Sequence, residues 1–582
     1  MMTLPRVFSS FAQGNCTSVE NGTLQDISAS SWTRLHCFAG RSGGESPGHH
    51  PPVPGERTAY SLSQPHGLVH HASECQPRII RRVKSPAQPL RQETARRGWE
   101  RRPFVQERPL PRRKVSSHAS LLVEARRPWK ERNAHCVSCC GPAGVCGYGE
   151  DFCGVGCTSN CDALAMCGNF SEGGNTKCGM NLCCSWGGWC GTSEVHCIGP
   201  NKFTPCQEGF GSCEIIRPKT CGEGSGSTKG RTIGYYLASN SRDRLCNRVF
   251  PKDINAEDYT HLFFSFASID PNTFRIRPWD DADIPLMEDF TALNTNTWIA
   301  VGGYTFSNNG TTHTTWSDLC STAENRAAFI QSTADFMDKY GFTGVDLDWE
   351  YPVEPKRGGS KGDTENFTKL VREMREAYGN KYGISLTLAP DYWYLRYFDA
   401  EGMQPYVDFF GFMAYDLHGS WDSDVLTLGS LVRGQADVRE IYNGENTLPL
   451  WYANLDPAKI NFGLAWYGRG YTLSDPSCNT LGCPFAGPSK RAECTGQDGV
   501  MSLLEIKKLI KEKNLTPRLN TDSMMKELIW DDQWIGYDDE ETHEMKRNFA
   551  NNLCFGGTMA WSVDFNSGTG DGDSAPISTD GR

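Results

Sequence analysis

Phe342-Thr-Gly-Val-Asp-Leu-Asp-Trp-Glu-Tyr-Pro352 alternates acidic and apolar residues through its centre. Asp346, Asp348 and Glu350 stand two apart, and so do Val345, Leu347 and Trp349. In an extended strand alternate side chains share a face, so the acids project one way and the apolar set the other. Three carboxylates on one face repel each other, a cost that has to be offset by use. A hydrated acidic turn is argued against by the flanking Val, Leu and Trp. A hard-cation site more often draws on a loop with further oxygen ligands, so no metal is expected. Crowded carboxyl groups cannot all ionise easily, and at least one keeps its proton toward neutral pH. Such a group is suited to general acid catalysis.

Around this stretch, strand-like and helix-like patterns alternate from Arg231 to about Asp564. Eight short apolar runs read as strands: 232–238, 261–267, 297–303, 344–350, 384–390, 407–416, 460–466 and 555–561. Between them, Phe329, Phe336, Met337 and Tyr340 share one helical face, and Phe367, Leu370, Val371, Met374 and Tyr378 another. Ser502 and Glu505 have capping-box spacing ahead of an apolar helix. Eight alternations predict an α/β fold, a (β/α)8 TIM barrel with a small insertion over residues 231–582. On periodicity alone a doubly wound α/β sheet is the alternative. In a barrel the functional side chains gather at the C-terminal strand ends. That rule selects Glu350 and also Tyr415 and Asp416, which close the run 407–416.

The chain has 582 residues and 25 cysteines, 16 of them between Cys136 and Cys221. Adjacent pairs (Cys139-Cys140, Cys183-Cys184), many glycines and little His favour disulfides over a metal array. Disulfides imply an oxidising, extracellular compartment. The first residues nevertheless show no secretory signal, because no apolar core follows the basic start. Residues 1–134 are rich in Pro, Ser, His and Arg, and read as a disordered or mis-assembled segment, with a basic arm as the third reading. A spacing repeats: Cys139-Cys140, Cys146, Cys153 and then Cys183-Cys184, Cys190, Cys197. This divides the region into a partial copy, 135–163, and a full one, 164–221. The Gly/Ser stretch 222–230 reads as a flexible linker to the barrel. The net charge of −11 argues against nucleic acid as a partner, and no run of 18 apolar residues predicts a membrane span. A monomer is expected.

The stretch around Glu350 resembles the DxxDxDxE signature of glycoside hydrolase family 18 chitinases. The likeness covers Arg231–Asp564, including Gly302-Gly303, MAYD at 413–416, YGR at 467–469 and GGTMAW at 556–561. The resemblance implies a (β/α)8 barrel that cleaves β-1,4 links of N-acetylglucosamine polymers with retention and without a cofactor. The substrate's own N-acetyl oxygen serves as nucleophile in that family. It further implies that Glu350 protonates the leaving oxygen, Asp348 orients the acetamide, and Asp346 shares a proton with Asp348. Tyr415 would hydrogen-bond the acetamide oxygen and Asp416 would add a polar contact. Trp561 would lie beneath the reacting sugar, and Tyr467 and Arg469 would contact sugar hydroxyls. Thr343 stands where the family's first Asp is usual, so the relay through Asp346 is altered or compensated. A related fungal branch, resembling killer-toxin chitinases, also pairs Cys-rich modules with this barrel. A non-catalytic chitin-binding lectin and an endo-N-acetylglucosaminidase are the alternatives.

Cys167 to Cys197, with the core CGMNLCCSWGGWCGTSEVHC at 178–197, resembles a hevein-like chitin-binding module. That likeness implies the pairs Cys167–Cys184, Cys178–Cys190 and Cys183–Cys197. It also implies that Ser185 bonds an acetyl group and that Trp189 is a sugar platform. Gly187 occupies the second platform position, with Trp186 displaced by one, and His196 replaces an aromatic. In the first copy Cys140 lacks a counterpart of Cys167, and the upstream candidates are Cys75, Cys37 and Cys16. Tyr148 and Phe152 are that copy's candidate platforms. Within the barrel Cys246–Cys320 is the expected pair, and Cys478, Cys483, Cys494 and Cys554 allow three pairings. Sequons stand at Asn169, Asn309, Asn366 and Asn514.

Overall fold

Eight strands, all parallel to their barrel neighbours, run between Arg231 and Trp561 in the computed structural model, which describes residues 138–199, 205–217, 220–425, 428–442 and 448–566. They are β1 Arg231–Leu237, β2 His261–Ile269, β3 Asn296–Gly302, β4 Gly344–Asp348, β5 Gly383–Leu388, β6 Phe409–Phe412, β7 Ile460–Ala465 and β8 Gly557–Trp561. Each falls on one of the eight expected runs. Consecutive strands pair from β2 to β8, and β1 pairs both β8 and β2. That last pairing leaves no free edge among the eight, so the sheet is a closed barrel and the doubly wound alternative is set aside.

The flanking helices follow the apolar spacing. One is α1 Asp283–Thr291, and α2 Thr315–Ser321 leads into α3 Ala323–Tyr340. The α3 helix buries Phe329, Phe336, Met337 and Tyr340, starts on a Thr322 hydroxyl cap, and stops at Gly341 in the left-handed region. Next come α4 Asp363–Tyr378, α5 Leu503–Lys513 and α6 Glu540–Asn552. The α4 helix buries Phe367, Leu370, Val371, Met374 and Tyr378. Ser502 and Glu505 form the expected capping box of α5.

The lower barrel is plugged by aromatic rings. Phe263 stacks on Trp298 at 5.3 Å and Trp298 on Phe409 at 5.1 Å. A Cβ on Gly344 or Gly383 would meet the Trp298 ring at 2.4 or 2.0 Å, so β4 and β5 need glycine where they pass that plug. Above it, Val345, Leu347 and Trp349 point outward and are buried, with Trp349 stacked on Trp316 of α2 at 5.7 Å. Asp346 and Asp348 therefore face the barrel interior.

The insertion between β7 and α6 is an antiparallel sheet. Its strand order is 485–488, 467–473, 533–537, 525–530, 518–520, with 500–502 also paired to 467–473. A buried ion pair, Lys546 Nζ to Asp538 at 2.6 Å, joins its last connection to α6.

Residues 1–134, with Cys16, Cys37 and Cys75, lie outside the described residues. The three disulfides implied for the second Cys-rich copy are formed, and Cys139–Cys153 in the first copy matches Cys183–Cys197 in the second. Cys140 is buried and makes no disulfide. The expected Cys246–Cys320 pair is not formed. Cys246 joins Cys494, while Cys320 is buried on α2 and free. Of the four later cysteines only Cys478 and Cys483 pair with each other, and Cys554 joins Cys221. That bond changes the reading of the Gly/Ser stretch as a flexible tether. Ser225 Oγ donates to the Asn551 carbonyl at 2.9 Å, and the Thr228 amide and hydroxyl donate to Asn551 Oδ1 at 2.9 and 2.8 Å. The Cys-rich unit also touches the barrel through Tyr392 Oη to the Gly179 carbonyl (3.2 Å) and Tyr452 Oη to the Thr192 carbonyl (3.3 Å). Among the described residues no helix is long and apolar enough to cross a membrane.

Candidate active site

The acids of β4 are held in a ladder of hydroxyl groups. Asp346 accepts from Tyr235 Oη at 2.8 Å on one oxygen and from Ser385 Oγ at 2.6 Å on the other. Asp348 accepts from Thr387 Oγ1 at 2.7 Å. The parallel register of β4 with β5 places Ser385 beside Asp346. Above them the backbone is tightly packed. Gly303 N donates to the Asp348 carbonyl at 2.8 Å, and a Cβ on Gly302, at φ +101°, would lie 2.5 Å from that oxygen. Glu350 lies two residues beyond the end of β4, its carbonyl receiving Arg357 Nε at 2.9 Å.

The electrostatics follow from burial. Glu350 is 5% exposed and desolvation raises its carboxyl to about 7, although the Arg357 charge pulls the other way. Asp348 is raised well above the carboxylate range, first by burial and then by the charges of Glu350 and Asp346. Burial raises Asp346 to about 6, with the Ser385 and Tyr235 hydrogen bonds opposing it. Burial likewise raises the Tyr415 phenol, assisted by Asp348, Asp416 and Glu350, so it remains a donor. Thr343, at the lower end of β4, donates to the Thr297 carbonyl at 3.2 Å. Tyr235 and Ser385 occupy both Asp346 oxygens.

Asp416 takes a left-handed backbone conformation, φ 57°, just after Tyr415, and its amide donates to Gln435 Oε1 at 2.9 Å. Its carboxylate accepts Tyr467 Oη at 2.5 Å and Arg469 Nη2 at 2.6 Å. Burial alone would raise this carboxyl, but the Arg469 guanidinium and these hydrogen bonds bring it below its usual value. Tyr467 and Arg469 were expected to contact sugar hydroxyls. Both line the cleft, but their polar ends are engaged by Asp416. Trp561, at the end of β8, stacks on Phe266 at 5.7 Å and keeps a face on the cleft.

That cleft measures about 740 Å³ and is lined by Asp348, Glu350, Tyr415, Asp416 and Trp561, while Asp346 lies beneath its floor. Trp279, Tyr304 and Trp421 add aromatic surface to its walls. Three supporting residues escaped the sequence reading: Tyr235, Ser385 and Thr387. The alternation Ser385-Leu386-Thr387-Leu388 was a usable signal, since it puts two hydroxyls on one strand face.

In the Cys-rich unit, Ser185 Oγ accepts the Trp189 amide at 3.0 Å. Trp189 is only 6% exposed, its ring 5.0 Å from that of Tyr148 in the first copy, within a cluster completed by Ala165. Neither Trp189 nor Tyr148 therefore presents the sugar platform expected of it. Packing two aromatic faces together removes more apolar surface from water than either copy can alone. Trp186, by contrast, is 36% exposed.

The family profile described as "Glycosyl hydrolases family 18" matches residues 231–566. Among curated proteins, "Secreted chitinase LysM12" of Penicillium expansum is 28% identical over 66% of this chain and 27% of its own length. "Killer toxin subunits alpha/beta" of Kluyveromyces lactis is 28% identical over 69% of this chain and 35% of its own. The matched region thus spans about a quarter to a third of those relatives. Among solved structures, the Ostrinia furnacalis Group IV chitinase aligns at 26% identity and a TM-score of 0.52, over 58% of this chain and 93% of that one. Human YKL-39, described as a pseudo-chitinase with retained chitooligosaccharide binding, shares the fold at 22% identity and a TM-score of 0.50, over 58% of this chain and 93% of that one.

Proposed function

Because the chain belongs to glycosyl hydrolase family 18, we propose that it is a retaining chitinase that cleaves β-1,4 links of N-acetylglucosamine polymers. The observation that carries this reading is Glu350, a buried carboxyl raised to about 7 at the mouth of the cleft, directly above Asp348. A carboxyl that is still protonated near neutral pH can give its proton to a glycosidic oxygen. The C1–O bond then breaks as the substrate's acetamide oxygen bonds to C1, forming a cyclic oxazolinium ion. Asp348 accepts the acetamide N–H and balances the positive charge, while Tyr415 Oη donates to the acetamide oxygen and aligns it. For Asp348 to carry that charge a proton has to reside elsewhere. Asp346, one layer below with its hydroxyl partners, is the group suited to hold it. Glu350, now a carboxylate, next takes a proton from water, whose oxygen attacks C1 as the C1–acetamide oxygen bond breaks, reopening the ring and restoring the original configuration. Trp561 supplies an apolar floor, and Asp416, fixed by Tyr467 and Arg469, supplies a polar contact.

The test compares wild type with Glu350→Gln on N-acetylglucosamine oligomers. Loss of about 10²- to 10⁴-fold in turnover with oligomer binding intact is expected for removal of a general acid. Equal turnover in the two proteins removes Glu350 from that role. Binding without turnover in both identifies a lectin, as in the pseudo-chitinase of similar fold.

The disulfide density supports an extracellular location. We assign the Cys-rich residues 164–221 to chitin binding, with Trp186 in place of Trp189 as the aromatic that meets the sugar. Residues 138–163 supply its packing partner, through Tyr148. Deleting residues 1–134 is expected to leave barrel activity intact.

A further inference from the structure

Part of the cleft lining comes from two segments far apart in sequence. The loop after β1 contributes Arg242 and Asp243, and the insertion contributes Gln497, Asp498 and Val500. Cys246 and Cys494 join them across a sequence separation of 248, each three residues from a cleft-lining position, Asp243 and Gln497.

Each segment is separately anchored on its own side. Leu237 N donates to Asp564 Oδ1 at 3.1 Å, Arg244 Nη1 to the Asp564 carbonyl at 2.8 Å, and Arg242 pairs with Asp283. These bonds tie the end of β1 and its loop to the start of α1 and to the segment just after β8. On the insertion side, the Cys494 and Thr495 amides donate to Glu505 Oε1 at 2.6 and 3.0 Å, fixing the segment to the start of α5. The disulfide is what couples the one anchored segment to the other.

We propose that the Cys246–Cys494 crosslink is a specificity-determining staple that keeps these two segments together as one wall, so that the cleft grips long N-acetylglucosamine chains more tightly than short ones. The proposal rests on the cleft being the chitin-binding site. A pre-formed wall spares the substrate the cost of ordering two loops as it binds. On this proposal that wall lies beyond the Glu350 centre in the shared cleft, so that only a chain long enough to reach it gains and the benefit depends on substrate length.

The test uses the full chain carrying Cys246→Ser and Cys494→Ser together, so that neither partner is left as an unpaired thiol. KM and kcat are measured with the N-acetylglucosamine hexamer and with the 4-methylumbelliferyl glycoside of the dimer. KM for the hexamer is expected to rise about fivefold at unchanged kcat, the scale of one lost hydrogen bond, while KM for the dimer glycoside stays within about twofold. Equal changes for both substrates, or none in a folded variant, overturn the proposal. If the double variant does not fold, Asp243→Ala and Gln497→Ala in the crosslinked protein take its place. They are expected to show the same length-dependent rise, and a length-independent one overturns the proposal. If wild type turns over neither substrate, the catalytic reading fails on its own. The hexamer-to-dimer affinity ratio, read from tryptophan fluorescence, then decides the staple, and a ratio unaltered by the double substitution sinks it.

Discussion

Replacing Asp346 with Asn is predicted to stabilise the protein in alkali and to leave it nearly unchanged in acid. The side chain is fully buried and its carboxyl is raised from 3.8 to about 6, by desolvation first, with Ser385 and Tyr235 opposing. The folded-state value thus lies above the unfolded one. Its contribution to stability is full below about pH 4 and is lost as pH rises through about 6. Each pH unit between the two values is worth about 1.4 kcal/mol, so ionised Asp346 costs the fold about 3 kcal/mol at pH 8 relative to pH 4. Asn has nearly the same shape and no charge to desolvate, so the variant escapes that cost. The assay is the thermal midpoint of wild type and Asp346→Asn at pH 4.5 and pH 8. About 1 kcal/mol of that cost is already present at pH 4.5, so the remaining ~2 kcal/mol is expected to give the variant roughly 3 °C more at pH 8 than at pH 4.5. Turnover should fall, because Asp348 loses the group that holds its displaced proton. A difference between the two proteins that does not depend on pH would refute the reasoning, since it would mean that Asp346 carries the same charge in the folded and unfolded chains.

Three further outcomes follow from the geometry. Turnover is expected to decline as pH rises above about 7, where Glu350 loses the proton it must donate, and a flat kcat profile to pH 9 contradicts this. Arg469→Met leaves the Asp416 carboxylate with Tyr467 alone, and is expected to cost about 2 kcal/mol, less than a fully buried pair because both side chains are partly exposed. Asp416 is depressed, so this loss is greatest at neutral pH and shrinks as pH falls through its folded-state value. Melting curves of Arg469→Met and Arg469→Lys check it, with Lys recovering only part because it lacks the forked geometry. In the Cys-rich unit, Trp186→Ala is expected to weaken binding to insoluble chitin about three- to tenfold while folding normally. Trp189→Ala should instead cost about 3 kcal/mol of packing and expose the unit to proteolysis.

The barrel was legible because its strands are buried on both faces and so read as short apolar runs between amphipathic helices. The acids were legible for the opposite reason: Asp346 and Asp348 interrupt such a run at the spacing of one strand face. The supports of those acids were less visible, because Ser385 reaches Asp346 through the register of the neighbouring strand and Tyr235 reaches it from β1 across the barrel interior. The run 407–416 overshot its strand, Phe409–Phe412, since the chain leaves extended geometry to aim Tyr415 and Asp416 at the cleft. Cys246 and Cys494 could not be paired by eye across 248 residues that contain most of the barrel. Trp189 was misread as a platform because its burial depends on Tyr148, a residue of another repeat, and no local pattern encodes that contact.

The bond between Cys221 and Cys554, with Asn551 gripping Ser225 and Thr228, has a bearing on avidity. Two modules on a loose leash gain from each other through an effective concentration that changes smoothly with leash length. Here the leash is fastened at its far end, so under the proposed function the Cys-rich unit and the cleft would meet a crystalline polymer as one stamp with a fixed spacing. On a surface whose repeat suits that spacing, both engage and the gain is large. On any other surface one of them is left idle, and no slack exists to recover it.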